Sequence, residues 1–102
     1  MPRSTTRIVS PEELHALFVE LKLWEQILSG ALSSVEALKK TVPAKSYENA
    51  FSQILKHYDV TGRHVCTTHR IISSDGEVLH WDEADVKLEG ETVIKSHVAS
   101  VE

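Results

Sequence analysis

Around Gly62 the hydrophobic period of this chain changes, and a change of period constrains a fold more tightly than composition does. Before that point apolar residues recur at offsets of three and four: Leu14, Leu17, Phe18, Leu21, Trp24, Ile27 and Leu28, then Tyr47, Ala50, Phe51, Ile54, Leu55 and Tyr58. Such offsets line one face of a helix. From Arg63 onward β-branched residues and threonines are dense and alternate, the period of a half-buried strand. A chain of 102 residues is the size of one domain, so both halves must share one core. The expected class is α+β: a two-layer sandwich of two long helices and one short helix on a C-terminal three- to four-stranded antiparallel sheet.

Local signals place the boundaries of this single domain. Residues 1–9 form an N-terminal arm or a short strand over Thr5 to Val9, residues 10–60 the helical half, and residues 63–98 the β-meander. Ser10-Pro11-Glu12-Glu13 is the strongest start signal, with an N-cap hydroxyl, proline at the first helical position and Glu three residues after the cap. Gly30 marks the stop of that first helix. A second box, Ser33-Ser34-Val35-Glu36, predicts a two-turn helix ending near Val42, because Pro43 disfavours helical geometry in the residue before it. In the meander, Ser73-Ser74-Asp75-Gly76 suits a type I turn with a glycine bulge pairing Ser73 with Glu77. That register sets Ile71 against Leu79 and His69 against Trp81. A tighter Asp75-Gly76 turn sets His69 against Asp82 and Arg70 against Trp81. A second hairpin folds Thr92 to Lys95 back on Val86 to Leu88 around Glu89-Gly90-Glu91.

Charge is unevenly spread. Residues 1–62 balance seven basic against seven acidic side chains, whereas residues 63–102 carry four against eight, which leaves the formal net charge of −4 in the sheet half. Between Asp75 and Glu91 seven carboxylates face one base, Lys87, and would repel a phosphate backbone. Nucleic acid is therefore not an expected partner. No apolar run approaches the length of a membrane span, and Met1 to Thr6 lack the apolar stretch of a signal peptide, so a small soluble cytoplasmic protein is expected. The single cysteine, Cys66, allows no intrachain disulfide. It suits a small buried strand residue.

The candidates for chemistry collect on one hairpin. His64, Cys66, His69, Arg70 and His80 lie there, with Thr67 and Thr68 between. His69 with His80 or Asp82 behind it has the makings of a general base, and Arg70 of a phosphate anchor, which together suit a metal-independent ribonuclease with His69, Arg70 and His80 as its catalytic set. The order of strand, helices and meander looks like that of small bacterial ribonuclease toxins of the RelE type, a topological resemblance without a shared motif. A metal reading takes His64 and Cys66, which share a strand face, with Asp85 or His57 added from elsewhere. Cys66 and His69 are three apart and point to opposite faces, which counts against both a Cys-x-x-His metal pair and a Cys66 nucleophile. Gly-x-Ser-x-Gly, His-Glu-x-x-His and glycine-rich phosphate loops are all missing from the sequence.

These absences favour a non-catalytic interaction or small-ligand-binding module without a cofactor. A three-stranded sheet with helices on one side leaves its other face uncovered, so a homodimer is expected, with a small ligand or a protein as the further partner. Arg70, His80 and Trp81 are the expected contact residues, because an aromatic beside an arginine is the composition of interface hot spots. Trp81 serves a core equally well. The histidine-dependent ribonuclease is the alternative.

Overall fold

In a computed structural model the chain forms β1 (Thr5–Val9), α1 (Pro11–Glu20), α2 (Leu23–Ser29), β2 (Ser33–Thr41), β3 (Ala50–Tyr58), β4 (His64–Ser73), β5 (Val78–Leu88) and β6 (Glu91–Lys95). The structure describes residues 5–41, 47 and 49–96, apart from the side chains of Lys40 and Thr41. The strands make one six-stranded sheet in the order β1-β6-β5-β4-β3-β2. It is antiparallel except at its edge, where β1 runs parallel to β6.

This overturns the expected two long helices and one short helix on three or four antiparallel strands: among the described residues there are two helices and a six-stranded mixed sheet. Three differences produce the change. First, the periodic stretch from Leu14 to Leu28 is not one helix. Lys22 takes a left-handed conformation (φ 56°), its N–H donates to the Val19 carbonyl, and the Gln26 amide donates to the carbonyls of Leu21 and Lys22. The corner lets Phe18 on α1 and Trp24 on α2 meet at 5.7 Å between ring centroids. Second, Ser33 to Leu38 is strand β2, where Glu36 accepts from the Gln53 amide on β3 rather than capping a helix. Third, Ala50 to Tyr58 is strand β3, paired with β4 throughout and with β2 from Phe51 onward. The expected helix end near Val42 and Pro43 lies outside the described residues. The likeness to ribonuclease toxins rested on the order of strand, helices and meander without a shared motif, and topology of that kind assigns no function.

Other signals hold at the level of residues. Ser10 Oγ accepts from Glu13 N–H and Glu13 returns the bond to Ser10 N–H, a reciprocal capping box. These bonds to Ser10 hold the exposed Glu13 carboxyl below its ordinary value. Gly30 ends α2 at φ 87°. Ser73 N–H donates to Glu77 at 2.8 Å and Gly76 N–H to Ser73 at 3.0 Å, as the type I turn with a glycine bulge requires.

The register beyond that turn is corrected, however. Ile72 pairs with Val78 but Ile71 pairs with His80, so Leu79 is an extra residue on β5. Ile71 therefore does not face Leu79, nor His69 Trp81. Arg70 faces Trp81 and His69 faces Asp82, the pairing of the tighter turn, reached by a bulge instead. A second extra residue on β5, Ala84, falls between Glu83, opposite Thr68, and Asp85, opposite Thr67. Further bulges leave Val65 extra on β4 and Ala37 extra on β2.

The helices cover one face of the sheet. Leu14, Phe18, Leu23, Ile27 and Leu32 pack there against Val9, Cys66, Val86 and Val93. At about 1.5–3 kcal/mol per fully buried large apolar side chain, this layer dominates the stabilisation. Glu83 ties both helices to β5, accepting from Trp24 Nε1 at 2.6 Å and lying 2.7 Å from His15 Nδ1. No helix among the described residues is long and apolar enough to cross a membrane.

Candidate functional site

Alternation along the central strands sends their polar residues to two different places. Toward the helices, His57 is fully buried, with Ser34 Oγ 2.8 Å from Nδ1 and Thr68 Oγ1 2.7 Å from Nε2. Thr68 Oγ1 also accepts from Trp81 Nε1 at 2.9 Å. Both ring nitrogens of His57 thus have a hydroxyl partner. Burial, reinforced by the charges of His64 and Arg70, pushes the His57 pKa down to about 4. This histidine is a neutral structural link. Beside it Arg70 lies 5.1 Å over the Trp81 ring and donates through Nε to Gln53 Oε1 at 2.7 Å.

On the opposite face, which neither helix covers, His69 stands between a hydroxyl and a carboxylate. Ser52 Oγ is 2.6 Å from Nε2, and Asp82 Oδ1 is 3.4 Å from Nδ1. The other oxygen, Asp82 Oδ2, accepts from Lys95 Nζ at 2.6 Å and lies 3.6 Å from His80 Nε2. Oδ1 itself is buried from solvent and makes no hydrogen bond among the described residues. The His69 and Asp82 side chains are each about a third exposed, at 32% and 30%. Together with Ile54, Ala84, Ile94 and Lys95 they line a depression of about 510 Å³. Its floor is apolar and three polar groups converge on it. The bulge at Ala84 bends β5 here and presents that extra residue to the depression.

The structure thus separates the residues that the sequence groups together. Arg70 is on the helix side with Trp81, whereas His69 and His80 are on the open side. The set His69, Arg70 and His80 does not converge on one cleft. The same division splits the expected contact residues: Arg70 and Trp81 do stack, but Trp81 packs against the hydrophobic core and makes a T-shaped contact with Trp24 at 5.2 Å. The pair His64 and Cys66 is also pulled apart. The His64 ring sits 2.9 Å from Thr67 Oγ1 and 3.0 Å from the Cys66 carbonyl, while the Cys66 side chain is buried in the core. Burial, with Asp85 nearby, pushes the thiol up to about 12, and burial also lowers the His64 pKa. Among the described residues no group of three or more His, Cys, Asp or Glu side chains is arranged to hold a metal ion.

Ser52, Lys95 and Ile54 have no place in the sequence-derived site, and Asp82 enters it only through the alternative register. The signal for Ser52 was its position two residues before Ile54 on a strand paired with β4, and that required β3 to be read as a strand.

No protein-family model matches this chain, and no curated protein or solved structure matches it either. Function therefore has to be argued from the site.

Proposed function

We propose that this protein is a ligand-binding module that takes a small, largely apolar molecule bearing one hydrogen-bonding group on the open face of its sheet. The observation that carries this reading is the convergence of His69, Asp82 and Lys95 on an apolar depression of about 510 Å³. Small-molecule sites combine a mainly hydrophobic lining of roughly 300–1,000 Å³ with a few placed polar groups. The test is a titration of the ¹⁵N-labelled protein with a panel of small esters, amides and carboxylates. Amide shifts at His69, Asp82, Ala84 and Ile94, abolished in Ala84→Trp, are expected. Shifts confined to the helix side, or none from any compound, would sink the reading.

Self-association belongs to the same proposal, and one observation favours a route for it. Strand β2 is a sheet edge with Ser33 to Lys39 all exposed, including Val35 and Leu38. Antiparallel pairing of two β2 edges about a two-fold axis between Ala37 and Leu38 sets Glu36 opposite Lys39 in both copies, and opposite charges in directly facing positions stabilise such pairs. Light scattering should report a dimer, lost in Glu36→Lys and restored when Lys39→Glu is added. A monomer at every concentration, or a dimer indifferent to both changes, overturns this route.

A further inference from the structure

We propose that Ser52 is a nucleophile toward small esters of apolar acyl groups, with His69 as its general base and Asp82 as the positioning residue behind the ring. This rests on the ligand-binding reading of the depression that His69 lines, with Ser52 beside that ring, and adds a reaction to it. The arrangement is hydroxyl, imidazole and carboxylate in sequence, at 2.6 Å and 3.4 Å, the relation by which a base activates a serine and is itself oriented by a third group. The two oxygens of Asp82 are divided in a way that serves it. Oδ2 is engaged by Lys95 and His80, and Oδ1, buried and otherwise without a hydrogen bond, faces His69 Nδ1. A proton on Nδ1 completes the carboxylate's bonding and leaves the Nε2 lone pair toward the Ser52 hydroxyl. The contrast with His57 is the control: there both ring nitrogens meet hydroxyls in a fully buried setting, and no carboxylate selects the tautomer.

The substrate class follows from what surrounds the relay. Ile54, Ala84 and Ile94 offer an apolar seat for an acyl chain. The hairpin's arginine is on the other side of the sheet, and among the described residues no guanidinium lines the depression to hold a phosphodiester. Lys95 lines the depression and is its cation for a developing oxyanion. An ester, with its better leaving group, needs less oxyanion stabilisation than an amide, each aimed donor being worth about 10²–10³ in rate. In the step itself the Ser52 oxygen bonds to the carbonyl carbon while its proton passes to His69 Nε2 and the carbonyl electron pair moves onto oxygen. Collapse breaks the ester C–O bond, and the alcohol leaves with the proton from His69. A water molecule, deprotonated by His69, then attacks the acyl-serine carbonyl, and the Ser52 oxygen leaves and recovers its proton. Acid and alcohol are released, with no oxidant or reductant involved.

The experiment is labelling with an alkyl fluorophosphonate, an electrophile that traps activated serines, read by intact mass and fragment mapping. One adduct at Ser52 is expected, absent in Ser52→Ala and slowed by roughly 100-fold or more in His69→Ala, the usual scale of general-base catalysis. Asp82→Asn should slow labelling and Asp82→Glu should restore part of it, with the amide spectrum showing both variants folded. An amide titration with phenyl acetate separates the two levels of the argument. Shifts at Ala84 and Ile94 without any Ser52 adduct overturn the nucleophile and leave the binding reading intact. Neither shifts nor adduct overturns both.

Discussion

Two histidines of adjacent strands, one on each side of the sheet, show how environment assigns a role to the same side chain. His57 and His69 each have a serine hydroxyl within 2.8 Å of one ring nitrogen. The difference is the second nitrogen. Toward the helices it meets Thr68, and burial keeps the ring uncharged; toward solvent it meets Asp82, which rewards a proton on that side. A hydroxyl on both sides makes a link, whereas a hydroxyl and a carboxylate make a directed proton path. The covered face is built for stability and the open face holds the imidazole–carboxylate pair.

The sharpest way to break that comparison is to remove apolar volume from each face. Phe18→Ala empties a fully buried position and is expected to cost about 3–5 kcal/mol by urea denaturation, near the limit of what so small a domain tolerates. Ile94→Ala on the open face should cost well under half of that, and an equal loss would mean that the open face is also core. Next is acid. Because the folded His57 pKa is depressed to about 4 from an ordinary 6.5, both states are neutral above 6.5. Below it the unfolded chain takes up a proton that the fold refuses. Stability should fall as pH drops from 6.5 toward 4, by at most roughly 3 kcal/mol, and level off below. Denaturation midpoints across that window test it, and His57→Gln should flatten the slope while His69→Gln should not remove it. A smaller effect is expected from Trp81→Phe, which keeps the ring and deletes the donor to Thr68: about 1–2 kcal/mol in thermal melts, with Ser52 labelling unaffected. Least of all, His80→Ala should change stability by under about 0.5 kcal/mol, since the side chain is half exposed and its contact to Asp82 is long.

How far the sequence is legible depends on where its periodicity is ambiguous. The capping box at Ser10, the turn at Ser73 to Glu77 and the alternation after Arg63 are local statements made by local chemistry, and they stand. β3 misleads for a physical reason. It is a central strand whose apolar residues come as adjacent pairs, Ala50-Phe51 and Ile54-Leu55, one member on each face and the pairs four apart. That spacing reproduces the helical period without any helix. β2 misleads because Ser-x-x-Glu suits a helix start as well as a polar sheet edge, and only pairing with β3 decides between them. The site inherits both errors. His69 is in the sequence reading and Asp82 is in its alternative, but Ser52 sits on the strand taken for a helix, and Arg70 leaves the site once its face is known.

The extra residue Ala84 has a consequence for how this chain came by its recess. Removing it would leave Glu83 opposite Thr68 and Asp85 opposite Thr67, with every cross-strand partner of β4 and β5 unchanged. What would go is the local bend, and with it one wall of the depression. A chain one residue shorter is thus expected to fold on the same ladder with a flatter, featureless outer surface. Scaffold and pocket are separable here by a single codon, so the pocket is something the fold can gain or lose without first becoming unstable.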